Sequence, residues 1–216
     1  MGNLELFAKP EISVFHFEQL ARRKGLRNIA GIDEAGRGPL AGPVVAAAVI
    51  LPEEFALDGL TDSKQLSAKQ REAFYPQIRQ SAAAVGVGVA SAAEIDGLNI
   101  LQATLLAMQR AVARLELAPD HLLIDGINLL PLNLSQQAIK QGDSRSLSVA
   151  AASVVAKVIR DRIMQAFDRR WPEYGFAQHK GYGTHQHRRA IAAFGPSRQH
   201  RKTFAGVREF LGVLRE

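Results

Sequence analysis

IAGIDEAGRGPLAGPVVAAAVIL, residues 29–51, decides the fold of this chain. An apolar run at 29–32 leads into two adjacent carboxylates, Asp33 and Glu34, and a second, fully apolar run fills 44–51. The nine residues between them, 35–43, hold three glycines and two prolines, which predicts a hairpin-like return joining two strands. Such strands read as core on both faces. Two acids at the end of one are costly unless something pairs with them.

Working outward, residues 84–90 and 121–125 read as the third and fourth strands, and 137–141 as the fifth. Residues 12–24 read as a short helix ended by Gly25. Ser67-Ala68-Lys69-Gln70 is a capping box that starts a helix running to residue 81. Leu98, Leu101, Leu105, Met108, Val112 and Leu115 step by 3, 4, 3, 4, 3, a helix stripe that reads as core and stops at Pro119. Residues 148–167 form a long Ala/Val-rich helix, and 184–194 another, closed by Gly195. Val207, Phe210, Leu211 and Leu214 mark a last one. Three antiparallel strands followed by strands alternating with helices predict an α/β fold, a mixed five-stranded sheet flanked by helices.

Composition narrows the class. The chain has 216 residues, 47% of them apolar, enough for a buried core and too many for disorder. It has no cysteine, so no disulfide framework and no thiol chemistry. No basic-then-apolar leader opens the sequence and no apolar run approaches membrane length, so a cytoplasmic protein is expected. The net charge of +6 is unevenly placed. Residues 169–216 hold ten Lys/Arg against three Asp/Glu, a net +7, and residues 1–168 seventeen against eighteen, a net −1. A basic segment attracts polyanions, nucleic acid above all. Its Trp171, Tyr174, Phe176, Tyr182, Phe194, Phe204 and Phe210 say that it folds and is no loose tail.

Three acids stand at strand ends. Asp33 sits near the end of the first strand, residues 29–34, Asp125 in LLIDG closes the fourth, and Asp143 in QGDSRS follows the fifth. At one end of a sheet their charges would crowd, and a hard divalent cation would relieve them. Oxygen ligands without cysteine point to Mg²⁺ or Mn²⁺ and away from zinc. Asp143 before Ser144 also reads as an ordinary turn residue. Neighbouring strand residues point to opposite faces, so Asp33 and Glu34 cannot both aim at one site unless the strand ends or twists there. Glu34 can contribute its backbone carbonyl instead.

GIDEAGRGPLAGPVVAAAVIL, LTDSKQLSAKQRE, LLIDG, GDSRSLSVAAASVVAKVIRDR and YGFAQHKGYGTHQH, in this order, resemble the motifs of bacterial ribonuclease HII between residues 29 and 204. The resemblance implies a ribonuclease H-like fold with a helical C-terminal segment. It divides the chain into an N-terminal extension with a short helix (1–28), a catalytic core (29–168) and a basic C-terminal segment packed on it (169–216). It implies an endonuclease that cuts RNA paired with DNA, including a lone ribonucleotide inside a DNA duplex, on that ribonucleotide's 5′ side. Carried over by position, the metal-site acids are Asp33, Glu34, Asp125 and Asp143. Gly36, Arg37 and Gly38 form the loop that reads the junction, and Tyr182 stacks beneath the ribose. Two positions depart from the usual pattern, Gln65 in DSKQLS and Gln141 before Gly142, each where a lysine is common.

Chemistry supports this reading independently. Hydrolysing a phosphodiester needs an activated water, an in-line approach and a stabilised leaving oxygen, and two metal ions about 3.5–4 Å apart supply all three. Asp33, deepest in its strand, is the expected bridging ligand. Glycines let a backbone approach a sugar edge, and the 2′-hydroxyl, donor and acceptor at once, separates RNA from DNA. In isolation Gly36-Arg37-Gly38 is a tight turn; beside Asp-Glu it reads as a recognition loop. Tyr182, between glycines, reads by pattern alone as a packed tyrosine and by resemblance as a stacking platform. Lys64, Lys157 and Lys180 are candidate phosphate contacts. Arg160-Asp161-Arg162 reads as surface pairing, and His179, His185, His187 and His200 as partly charged contacts to a phosphate backbone.

Two other classes compete. A metal-independent ribonuclease would use paired histidines as acid and base with the 2′-hydroxyl as nucleophile. It would ignore chelators, and it cannot cut 5′ of a lone ribonucleotide, where the leaving sugar is DNA. A non-catalytic binding module would use the basic segment alone and cut nothing, which leaves the acids unexplained. A monomer is expected.

Overall fold

The computed structural model describes residues 15–57 and 59–212. The elements in chain order are α1 (His16–Arg23), β1 (Ile29–Ala35), β2 (Val44–Ile50), α2 (Ala68–Ser81), β3 (Ala84–Ala90), α3 (Ala92–Leu98), α4 (Ile100–Ala113), β4 (His121–Asp125), β5 (Ser135–Ile139), α5 (Leu147–Arg170), α6 (Phe176–His179) and α7 (His185–Phe194). Short 3₁₀ turns lie at Gly142–Ser144, Pro172–Tyr174 and Arg208–Phe210. The five strands run in the order β3-β2-β1-β4-β5. The hairpin expected from residues 35–43 is present, with Asp33 opposite Ala47, and β3 continues the antiparallel half. β4 and β5 run parallel to β1.

Alternation sorts the sheet into two faces. Ile32, Ala46 and Ile124 pack under α4, whereas Ala47, Val49 and Leu51 pack under α5 and α2. Leu123 and Ile139 lie with Val149 of α5 beneath Phe17 and Ala21 of α1. The Ser67 capping box forms as expected, the Ser67 hydroxyl accepting from Gln70 N and the Gln70 side chain accepting from Ser67 N at 2.9 Å.

Four sequence expectations shift. The stripe from Leu98 to Leu115 is broken by Asn99, whose φ of 72° ends α3 and whose side chain caps α4. Leu98 is 44% exposed, and the buried face of α4 is Ala103, Thr104, Ala107, Met108, Ala111 and Val112. The reason is close approach. A Cβ on Gly88 of β3 would stand 1.9 Å from the Ala107 carbonyl oxygen, so α4 meets the sheet through alanines and its leucines sit at the margins.

The fifth strand covers Ser135–Ile139, two residues earlier than its apolar content suggests. As an edge strand it tolerates Ser135 and Gln136, and Gln136 bonds the backbone of Leu130 and Leu132. Of the first predicted helix, residues 12–14 lie outside the described residues, and α1 begins at His16. The final helix is a single 3₁₀ turn, with Val207 buried and Leu211 43% exposed; Leu214 lies outside the described residues. No helix among the described residues is long and apolar enough to cross a membrane.

Candidate active site

β1 and β4 are parallel neighbours, so their carboxyl ends bring Asp33 and Asp125 together on the α5 side of the sheet. β5 then turns back through Gln141, at φ 55°, into the 3₁₀ turn that holds Asp143. One carboxylate oxygen from each of Asp33, Asp125 and Asp143 lies within 4.8 Å of the others, the one such group of acids, cysteines and histidines among the described residues. Asp33 is 3% exposed and Asp143 4%. Gly142 N donates to Asp125 Oδ1 at 2.7 Å, and Glu34 N donates to Asp33 Oδ1 at 2.7 Å.

Electrostatically the group is under-compensated. Burial pushes the Asp33 carboxyl well above its usual range, the negative charges of Glu34 and Asp125 push it further, and a hydrogen bond from Ser153 opposes them. Asp125 is also raised, chiefly by burial, with the Gly142 amide opposing. Lys64 is the cation that reaches in, its Nζ 2.9 Å from Asp143 Oδ2. Partial burial works against the ammonium, but its hydrogen bond with Asp143 and the surrounding acids outweigh this and hold its pKa above normal. Three crowded oxygen donors with one lysine among them fit a hard divalent cation better than they fit each other.

Glu34 stands apart from this group. Strand alternation turns it from Asp33, and its Oε1 sits 3.4 Å from Arg37 Nη1. Burial raises its pKa while Arg37 draws it back down. The geometric obstacle read in the sequence is therefore real.

A cavity of about 250 Å³ opens beside the acids, lined among others by Gly36, Gly38, Lys64, Ser153, Lys157 and Tyr182. Gly36 has φ 102°, and a Cβ there would fall 2.0 Å from Arg160 Nε. Gly38 lies 3.7 Å, by the same measure, from Tyr182 Cε1. The Tyr182 ring is 47% exposed while its backbone is fixed, Tyr182 N donating to His179 O at 2.9 Å and Tyr182 O bonded to His187 Nδ1 at 2.9 Å. Lys157 lines the cavity, paired with Asp161 at 2.7 Å, and burial lowers its pKa. Lys180 does not line it; its ammonium bonds the carbonyl of Ala177 in its own turn.

Two readings of the basic residues are corrected. Arg160 is 1% exposed and donates to Pro43 O at 3.1 Å and Ala41 O at 3.2 Å, so it is no surface residue. His179, His187 and His200 are buried, the first two rings stacked at 4.3 Å and the last two bridged Nε2 to Nε2 at 3.0 Å. Burial pulls His187 down to about 4 and His200 to about 3, so both are neutral at physiological pH. They form the floor beneath Tyr182, and the acid–base pair needed by a metal-independent ribonuclease is absent from this cluster.

Sequence reading missed Ser63, Ser153 and Arg201. Ser153 Oγ and Ser63 Oγ are hydrogen-bonded at 2.7 Å beside Asp33. The signal lay in α5, where Ser153, Lys157 and Arg160 step by 4 and 3 along the face that lines the cleft. Arg201 is fully buried and donates to the carbonyls of Gly36, Arg37 and Gly42, tying the glycine loop to the C-terminal segment. Nothing in its local sequence separates it from its exposed basic neighbours.

A profile of the ribonuclease HII family matches residues 30–207. The chain belongs to the ribonuclease HII family. The ribonuclease HII of Syntrophotalea carbinolica is 64% identical over 208 residues, covering 96% of this chain and 100% of that protein. That of Geobacter sulfurreducens is 58% identical over 207 residues, covering 96% of this chain and 95% of the other. The crystal structure of ribonuclease H2 from Pyrococcus horikoshii OT3 superposes with a TM-score of 0.70 at 25% identity, over 85% of this chain and 96% of that one. Family membership makes the chain a metal-dependent endoribonuclease of the ribonuclease H type, acting on nucleic acid.

Proposed function

We propose that the enzyme hydrolyses the RNA strand of RNA–DNA hybrids and cuts 5′ of single ribonucleotides embedded in duplex DNA, leaving 5′-phosphate and 3′-hydroxyl ends. The observation behind this is the 4.8 Å group of Asp33, Asp125 and Asp143. These three acids, with Glu34 through its carboxylate or its backbone carbonyl, would hold Mg²⁺ or Mn²⁺, two ions when substrate is bound. When bound, such a pair activates water and stabilises the leaving 3′-oxygen.

The chain's own groups do the rest. Asp33, the most buried of the three acids, would be the shared ligand. The backbone of Gly36, Arg37 and Gly38 faces the 2′-hydroxyl, and the Tyr182 ring, held on its histidine floor, stacks against the ribose or base. Lys64 and Lys157 reach scissile-strand phosphates, and Arg37, half exposed, offers a further contact. Lys180, turned to its own backbone, contributes to the basic field of the C-terminal segment, which guides the duplex. The proposal is for a monomer. The absence of cysteine suits the cytoplasm.

The test is a labelled DNA duplex carrying one ribonucleotide, incubated with Mg²⁺, Mn²⁺ or EDTA. Cleavage on the 5′ side in either metal and none in EDTA is expected. Cutting in EDTA, or a cyclic phosphate end, overturns the reading.

A further inference from the structure

α1 begins before the region shared with the family profile, which starts at residue 30, yet it delivers a buried carboxylate to the site's margin. Glu18 is 2% exposed. Its Oε1 accepts from Ser146 Oγ at 2.7 Å, from Ser148 Oγ at 2.6 Å and from Ser148 N at 3.0 Å, while its Oε2 is buried with no hydrogen-bond partner. A carboxylate at such depth is rare and opposed by desolvation. The start of α5 does not require it, because Ser146 already caps that helix, its hydroxyl accepting from Val149 N at 3.3 Å.

What Glu18 touches explains its place. Ser146 N donates to Gly142 O at 2.8 Å, and Gly142 N donates to Asp125 Oδ1 at 2.7 Å. Hydrogen bonds thus run from Glu18 through Ser146 and Gly142 to Asp125, and Asp143 sits inside that chain. The preceding residue, Phe17, adds a second hold: its ring lies 5.1 Å from the Arg145 guanidinium, and it packs with Val149, Ile139 and Leu123. Two consecutive residues of α1 therefore grip the segment on the far side of Asp143.

We propose that Glu18 is a positioning residue for the acidic site: α1 is a clamp that sets where the Asp143 carboxylate stands relative to Asp33 and Asp125. This rests on reading Asp143 as a metal ligand. Groups that orient ligands from behind are worth about 10–100-fold in metal affinity when removed.

The test is Mn²⁺ binding by titration calorimetry, alongside cleavage as a function of Mn²⁺, for Glu18→Ala, Glu18→Gln and Asp143→Asn. Glu18→Ala should weaken Mn²⁺ binding about tenfold, with substrate KM unchanged at saturating metal. Glu18→Gln keeps an oxygen able to accept from both serines and should restore most of the affinity. Ile95→Ala, which opens the core on the α4 face, lowers stability without moving the metal titration. If Asp143→Asn binds Mn²⁺ like the unaltered enzyme, the ligand reading is wrong. If Asp143→Asn loses affinity while Glu18→Ala keeps it, the clamp is wrong. Should Glu18→Ala not fold, Ser148→Ala must show a smaller shift in the same direction, and an unchanged titration there overturns the proposal.

Discussion

Two parts of the molecule bury ionisable groups within reach of the cleft, and they treat them oppositely. In the C-terminal segment, His179, His187 and His200 stack and bond one another and the backbone, and Arg201 spends its guanidinium on three carbonyls. At the sheet's end, Asp33, Asp125 and Asp143 share one lysine and repel. Buried polar groups that satisfy each other stiffen a scaffold; buried groups left short of partners are waiting for a ligand. The first region holds Tyr182 and the glycine loop still, and the second is where the proposed metal ions would be held.

The largest expected effect breaks the acidic side of this contrast. Asp33→Asn should lower cleavage by more than about 10³-fold while raising the melting temperature of the metal-free protein, since it removes a repelling charge. Activity within tenfold of the parent, or a lower melting temperature, would undo the assignment. Arg201→Met attacks the scaffold side. It strips the carbonyls of Gly36, Arg37 and Gly42 of their donor and should cost about 3–5 kcal/mol in denaturant unfolding, with Arg201→Lys recovering only part. A loss below about 1 kcal/mol would show that water replaces the guanidinium. Tyr182→Ala, at the seam of the two regions, should reduce kcat/KM at a single ribonucleotide about ten- to hundredfold, in line with about 1–3 kcal/mol for one stacking contact. Unaltered rates on that substrate would remove the ring from recognition.

The smallest effect separates the regions by sign. His187 and His200 have depressed folded-state pKa values, so their contribution is complete above the unfolded value near 6.5 and is lost as pH falls toward about 4 and about 3. Asp33 and Asp125 are raised, so without metal their protonation favours the fold, and that gain is lost as pH rises from the unfolded value near 4. His200→Gln should flatten the rise in unfolding free energy between about pH 3 and 6.5 by about 1–2 kcal/mol, and Asp33→Asn, measured without metal, should remove a fall that begins near pH 4. Slopes changed in the same direction by both variants would mean that the two regions are not electrostatically distinct.

Local pattern made much of this legible. Strand ends before Gly126 and around Asp33, the Ser67 capping box and the Gly195 stop depend on residues a few positions apart, and they stand where the sequence placed them. The α4 stripe misled because Gly86 and Gly88 on another strand let alanines approach where leucines were expected to pack. The fifth strand began early because an edge position accepts polar residues that a central one rejects.

The sequence by itself determined the chain order of the five strands and of the long helices α2 and α5, the motifs of the family and the acids near the ends of β1 and β4. Tertiary structure alone decided that Asp143 joins them within 4.8 Å, and that His179, His187, His200, Arg160 and Arg201 lie buried. The reason is range. Caps and strand ends are settled by neighbours three or four residues away, whereas Lys64 meets Asp143 across 79 residues and Arg201 meets Gly36 across 165. Burial and charge compensation belong to those distant pairs, and no short window of sequence contains both partners.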